Sequence, residues 1–234
     1  MGGELRERLA CAFEQRPRGL TFAARTDSGV GAESNYATCW VRTSEHGAHE
    51  ALAKHAQPEP SALVLRSVRL APRSMNARTC ARSKRYRYTI KLGACALPDA
   101  WEVAEPLDVA RMRRAAQHLV GVHDFTSFRS KNCAATSPIK QINHIGIQRC
   151  RDRIWIDVEG TSFLRKMVRI VCGTLVEVGS GERDESDLPT ILAARHRAAA
   201  GVTAPARGLC LMRVELAWPG MRHPGAPLMK LQEP

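Results

Sequence analysis

One short loop concentrates the residue types that can do chemistry in this sequence. In Ala24-Arg25-Thr26-Asp27-Ser28-Gly29-Val30-Gly31-Ala32, the aspartate stands two residues after an arginine and two before a glycine, directly behind the apolar stretch 20–24. This order predicts a strand that runs into a tight loop, where a side chain is presented rather than packed. A carboxylate held there can act as a nucleophile or as a general base. The same residue types also make an ordinary surface turn, so composition alone leaves both readings open. A second constellation lies in 85–92, where Tyr86, Tyr88 and Ile90 alternate with Arg87 and Thr89. Alternation of this kind gives a half-buried strand with one aromatic face, which on the residues alone reads as core. His123 and Asp124 are adjacent and invite a dyad reading.

The elements that must position these residues can be read from periodicity. Leu5, Leu9 and Phe13 share one helical stripe over residues 4–16, so the chain opens with an amphipathic helix. Besides 20–24, strands are predicted over 62–70, 85–92, 142–148, 154–158 and 209–218. Asp108 can cap a helix whose apolar side is Met112, Ala115, Ala116 and Leu119, ending at Gly121. A long, almost wholly apolar helix is predicted from Ser162 to Val178 with Gly179 as its stop, and a shorter one from Leu188 to His196. Helices and strands in this order read as α+β, with helices on one face of a largely antiparallel sheet. Residues 220–234 read as a loose tail rich in Pro and Gly.

Composition limits the functional classes. Lys and Arg total 35 against 23 Asp and Glu, a formal charge of +12, which favours a polyanionic partner such as nucleic acid or an anionic membrane surface. No apolar run approaches the roughly 20 residues required to cross a bilayer. Glu4, Arg6, Glu7 and Arg8 interrupt any apolar segment of a signal peptide. The 8 cysteines are scattered singly, with no C-x-x-C pair, which argues against a zinc site and for a reducing, cytoplasmic compartment.

The Asp27 loop resembles the R-T-D-A-G-V-H-A loop of the tRNA pseudouridine synthase A family, and further segments follow in the family's order. Met75-Asn76-Ala77-Arg78 is similar to F-x-A-R, and Ser83-Lys84-Arg85-Tyr86-Arg87-Tyr88 to the R-x-Y-R-Y strand. Residues 121–129 (G-V-H-D-F-T-S-F-R) match G-x-H-D-F-x-S-F-R, residues 162–181 the F-x-x-x-M-V-R helix, and residues 204–211 (A-P-A-R-G-L-C-L) the A-P-x-x-G-L-x-L strand. The resemblance spans residues 4–216. It implies a fold of two ferredoxin-like halves sharing an extended sheet, with an active cleft between them. On that basis the domains are expected at 1–92, a half carrying the catalytic loop, and 93–218, with a tail at 219–234.

The resemblance further implies uridine isomerisation to pseudouridine in the anticodon stem-loop of tRNA, by a cytoplasmic homodimer that uses neither metal nor cofactor. Asp27 is the implied catalytic carboxylate. Arg25 and Arg169 match family arginines, and a guanidinium beside Asp27 would hold it charged and oriented. Tyr86 matches the tyrosine that stacks on the target base, and Leu209 the apolar residue of the pocket floor. His123 and Asp124 belong to a segment that supports the fold and RNA contact. Arg78, Arg82, Lys84, Arg85, Arg129, Lys131, Arg165 and Lys166 are candidate phosphate contacts, which position RNA without reading bases.

The match has gaps. Family members open with a strand carrying Y-D-G and G-W-Q motifs, whereas this sequence starts at their first helix, so either the start lies upstream or the N-terminal half lacks a strand. Gly31 replaces a histidine and Cys210 a tyrosine, and no clear A-L-N-x-x-L-P segment occurs near 54–60. The alternative they raise is a catalytically impaired, RNA-binding relative.

Overall fold

The computed structural model describes residues 2–44, 46–48, 50–51, 63–93, 97–104 and 106–217. The expected tail, Ala62 and Trp218 lie outside them. The chain forms two compact units, one made of residues 1–23 and 36–80, the other of residues 24–35 and 81–234. No helix among the described residues is long and apolar enough to cross a membrane.

In the smaller unit, helix α1 (Gly2–Ala12) buries Leu5. It is shorter than the stripe of apolar residues suggests, because Glu14 takes a left-handed backbone (φ 51) and ends the turn that Phe13 would continue. Strand β1 (Arg18–Phe22) pairs antiparallel with β3 (Ala37–Trp40), and the hydroxyls of Thr21 and Thr38 meet across the pair at 2.8 Å. Residues 63–70 do not form the expected strand. Their alternation defines two faces but supplies no ladder, and Val64 and Leu70 stay exposed.

The larger unit is α+β. Its seven-stranded sheet runs β2 (Gly31–Ala32), β9 (Leu209–Leu216), β4 (Ala81–Leu92), β8 (Arg153–Gly160), β7 (Ile139–Cys150), β6 (Gly121–Asp124), with β5 (Trp101–Val103) paired to β4. Among the described residues, only the β2–β9 and β4–β5 pairs are parallel. Among the described residues β1 and β3 pair only with each other, so hydrogen bonding makes two sheets where the resemblance implies a single shared one.

Strand β4 shows why the alternating pattern matters. Tyr86, Tyr88 and Ile90 are buried, with Val158, Ile156 and Ile154 opposite them on β8. Helix α2 (Val109–Gln117) lays Met112, Ala115 and Ala116 into this core, and Asp108 caps it by accepting from the amides of Ala110 and Arg111. Helix α3 (Met167–Ser180) is buried along most of its length, as expected of a helix apolar nearly all round.

The ends of α3 differ from the sequence reading. Residues 162–166 are not helical: Lys166 has φ 63, and the segment serves to carry the chain from β8 to the helix while burying Leu164. The stop is Gly181 (φ 85), not Gly179. Gly179 is needed inside the helix for close packing, since a Cβ there would lie 2.8 Å from the Met112 sulfur. Helix α4 (Asp187–Ala194) completes the unit, burying Leu188 and Ile191.

Candidate active site

The loop carrying Asp27 belongs to the larger unit and is pinned at both ends. At its entrance the Asn35 amide brackets Ala24, accepting from its N–H at 3.2 Å and donating to its carbonyl at 2.9 Å. At its exit Gly31 and Ala32 run parallel to Cys210 and Leu211, and the Glu33 amide donates to the Leu211 carbonyl at 2.9 Å. Between them, the Val30 amide closes a turn onto the Asp27 carbonyl at 3.1 Å. Gly29, the third residue of that turn, has φ 80, a conformation that favours glycine. A Cβ on Gly29 would also come 3.3 Å from the Ala206 methyl, so the loop sits directly on the segment that precedes β9.

Helix α3 supplies the partner. Arg169 directs Nη1 to Asp27 Oδ2 at 3.2 Å, and its Nε donates to the Ala204 carbonyl at 2.7 Å. The Asp27 and Arg169 side chains keep 24% and 13% of their surface, so the pair is accessible at the carboxylate. Arg25, the nearer arginine in sequence, is exposed and makes no ion pair with Asp27 among the described residues.

Tyr86 is buried, its ring edge-on to Phe163 with centroids 5.4 Å apart. Burial, and then the negative charge of Asp27, push its phenol up to about 12, so it stays a neutral hydroxyl at physiological pH. Leu209 opens β9 opposite Tyr88 and is buried. Asp27, Arg169, Tyr86 and Leu209 thus belong to elements packed together in one unit. Phe163, which sets the tilt of the Tyr86 ring, was not singled out from sequence, although it stands at the head of the F-x-x-x-M-V-R segment.

The basic residues fall into separate groups. Arg78, on the smaller unit, and Arg82 and Lys131, on the larger, are exposed. Arg129 donates to the carbonyls of Cys133 and Ala135 at 2.6 and 2.8 Å, and Arg165 to that of Asn132 at 3.2 Å. Arg129 thus closes loop 129–135 on itself, and Arg165 ties that loop to 162–166, with Lys131 and Lys166 next to them in sequence. Arg85 pairs with Asp157 at 2.7 Å, and Lys84 lies next to it on β4. His123 and Asp124 make separate contacts rather than a dyad: the imidazole meets the Val120 carbonyl at 2.9 Å, and the carboxylate takes Thr126 and Arg195. Among the described residues, no group of three or more His, Cys, Asp or Glu could hold a metal ion.

Residues 115–216, which include α3 and the segment leading into β9, match the family model described as tRNA pseudouridine synthase. The chain is 38% identical to the tRNA pseudouridine synthase A of Geotalea uraniireducens, over 85% of this chain and 82% of that protein. It is 42% identical to that of Geotalea daltonii over 83% and 81%, and 36% identical to that of Pseudomonas aeruginosa over 93% and 76%. The chain belongs to the tRNA pseudouridine synthase A family. The aspartate loop, the α3 arginine and the β4 tyrosine of this chain all lie within its larger unit. These relatives are named as synthases, which gives no support to a catalytically impaired reading.

Proposed function

We propose that this protein isomerises uridine to pseudouridine in the anticodon stem-loop of tRNA, with Asp27 as the catalytic carboxylate. The observation that carries the reading is the placement of Asp27 on a loop pinned at both ends, its carboxylate 3.2 Å from a guanidinium that is itself held by a main-chain carbonyl. Such a carboxylate reaches the reaction already oriented, as charge-assisted hydrogen bonding requires.

The target uridine must leave the helical stack before its glycosidic bond is accessible, at a cost of a few kcal/mol. Tyr86 offers an aromatic face and a neutral hydroxyl to the extruded base, and Leu209 an apolar wall that excludes water. Asp27 acts as nucleophile or as base. The N1–C1′ bond breaks, the uracil turns, and a C5–C1′ bond forms; C5 loses its proton and N1 gains one, so the product is an isomer and no cofactor is consumed. The exposed Arg25, Arg78, Arg82, Arg85, Lys131 and Arg165, with the half-buried Lys84, Arg129 and Lys166, supply positive charge for the tRNA backbone. The net charge of +12 supports this. A division into two ferredoxin-like halves, 1–92 and 93–218, a homodimeric assembly and a cytoplasmic location go with the same reading.

Carbodiimide treatment followed by primer extension on tRNA incubated with the protein tests it. New stops are expected at uridines of the anticodon stem-loop, absent with Asp27→Asn. Stops that persist with Asp27→Asn at the wild-type level would remove Asp27 from the chemistry, and no stops with the wild-type protein would remove the function.

A further inference from the structure

We propose that Tyr88, which the chemistry above does not use, is a positioning residue: its buried hydroxyl fixes segment 200–208, and through that segment the place of Arg169 and Asp27. This rests on the functional reading above.

Tyr88 is fully buried, and its hydroxyl donates to the Pro205 carbonyl at 2.9 Å. Burial holds the phenol far above its ordinary range, so it is a neutral donor at any working pH. The ring is clamped: Trp101 stands edge-on with centroids 6.2 Å apart, and Gly208 passes so close that a Cβ there would be 2.7 Å from the ring carbon bearing the hydroxyl. A ring that cannot shift fixes where its hydroxyl points.

The segment it grips is fastened to α3 along one side. The amides of Gly201 and Val202 donate to Thr174 Oγ1 and Glu177 Oε1 at 3.0 and 2.7 Å. The Ala204 amide donates to the Arg169 carbonyl at 3.1 Å, while the Ala204 carbonyl takes the Arg169 side chain. The Tyr88 bond falls on the very next residue, Pro205, and the methyl of the residue after that, Ala206, would lie 3.3 Å from a Cβ built on Gly29 of the Asp27 loop. Three consecutive residues thus connect the β4 core to the arginine and to the aspartate. The guanidinium has a fixed fork, so a shift of the carbonyl that holds Nε rotates Nη1 away from Asp27. Small misplacements of this kind reduce rate more than binding.

The rival view is a core tyrosine whose hydroxyl is merely satisfied, acting on stability alone. A double-mutant cycle separates the two. Tyr88→Phe removes one oxygen and keeps the ring packing. Release of tritium from C5-labelled tRNA uridine is measured in single turnover, below the melting point, for the wild type, Tyr88→Phe, Arg169→Lys and the double variant, alongside tRNA affinity. Tyr88→Phe is expected to slow turnover about tenfold with affinity changed less than about twofold, and to add less than about twofold once Arg169 is already lysine. Gly208→Ala, whose Cβ would press on the ring carbon bearing the hydroxyl, is expected to slow turnover similarly. A wild-type rate in Tyr88→Phe, or a tenfold loss that persists undiminished in the Arg169→Lys background, overturns the proposal. Failure of the functional reading looks different: tritium release by Asp27→Asn at the wild-type rate, or none by the wild type.

Discussion

Asp27 and Asp157 both sit against guanidinium groups in the larger unit, yet the surroundings of the two carboxylates differ in every respect that matters for chemistry. Asp157 lies mid-strand on β8, its side chain keeping 9% of its surface, gripped by Arg85 at 2.7 Å and by the Arg87 fork at 2.8 and 2.9 Å. Arg87 in turn covers the Trp155 ring at 5.5 Å. Both oxygens are occupied, on the face of β4 and β8 opposite Tyr86 and Tyr88. Asp27 lies on a loop, holds one arginine through one oxygen, and keeps 24% of its surface. A carboxylate whose lone pairs are already spoken for is structural, whereas one that is oriented but still open can meet a substrate.

If the two carboxylates differ in this way, neutralising each should damage a different property. Asp27→Asn is expected to lower pseudouridine formation by more than about 10³-fold with the thermal midpoint little changed, by analogy with loss of other catalytic side chains; primer extension and a melting curve measure both. Arg169→Lys comes next, losing about 10²-fold in turnover because an ammonium cannot serve Ala204 and Asp27 at once. Asp157→Asn should show the reverse: about 1–3 kcal/mol less stability in urea, with turnover per folded molecule within about twofold.

The pH dependence of that stability difference sharpens the contrast. Burial works to raise the Asp157 carboxyl, but the hydrogen bonds from Arg87 and Arg85 prevail and hold it below the ordinary value. A carboxyl lowered in the folded state stabilises fully above its unfolded value, near about 4, and that contribution is lost as pH falls through the lowered folded value. The gap between wild type and Asp157→Asn should therefore be full at neutral pH and close below about pH 4. The smallest effect is expected for Trp155→Leu, which removes the ring under Arg87 at a cost of about 0.5–1 kcal/mol. Equal loss of turnover in the Asp157 and Asp27 variants would erase the distinction.

Much of this was readable in the sequence where one local rule sufficed. Asp108 was legible as a cap, and Tyr86, Tyr88 and Ile90 as a buried face, because capping and period-two burial depend on near neighbours. What escaped depended on distant chain. Gly179 looked like a helix stop because glycine serves both as a cap and as a contact, and only the approach of Met112 decides between them. The run 63–70 alternated like a strand, but pairing requires a neighbour that periodicity cannot supply. At the site, the guanidinium that meets Asp27 comes from 142 residues away, so spacing alone pointed only to Arg25, and Arg169 was reachable through the family resemblance.

The Arg169 clasp has a consequence for mutational scanning. The group that receives Nε is the peptide oxygen of Ala204, and the amide of the same residue returns a bond to the Arg169 carbonyl. Trimming side chains cannot delete either atom, so an alanine scan across 200–206 would pass over a contact the enzyme relies on. Proline at 204 abolishes the amide half of the clasp and leaves the carbonyl that receives Nε in place. Substitutions can accumulate along that stretch while the polar scaffold beneath them persists, as long as each side chain still fits the buried space around Ala204.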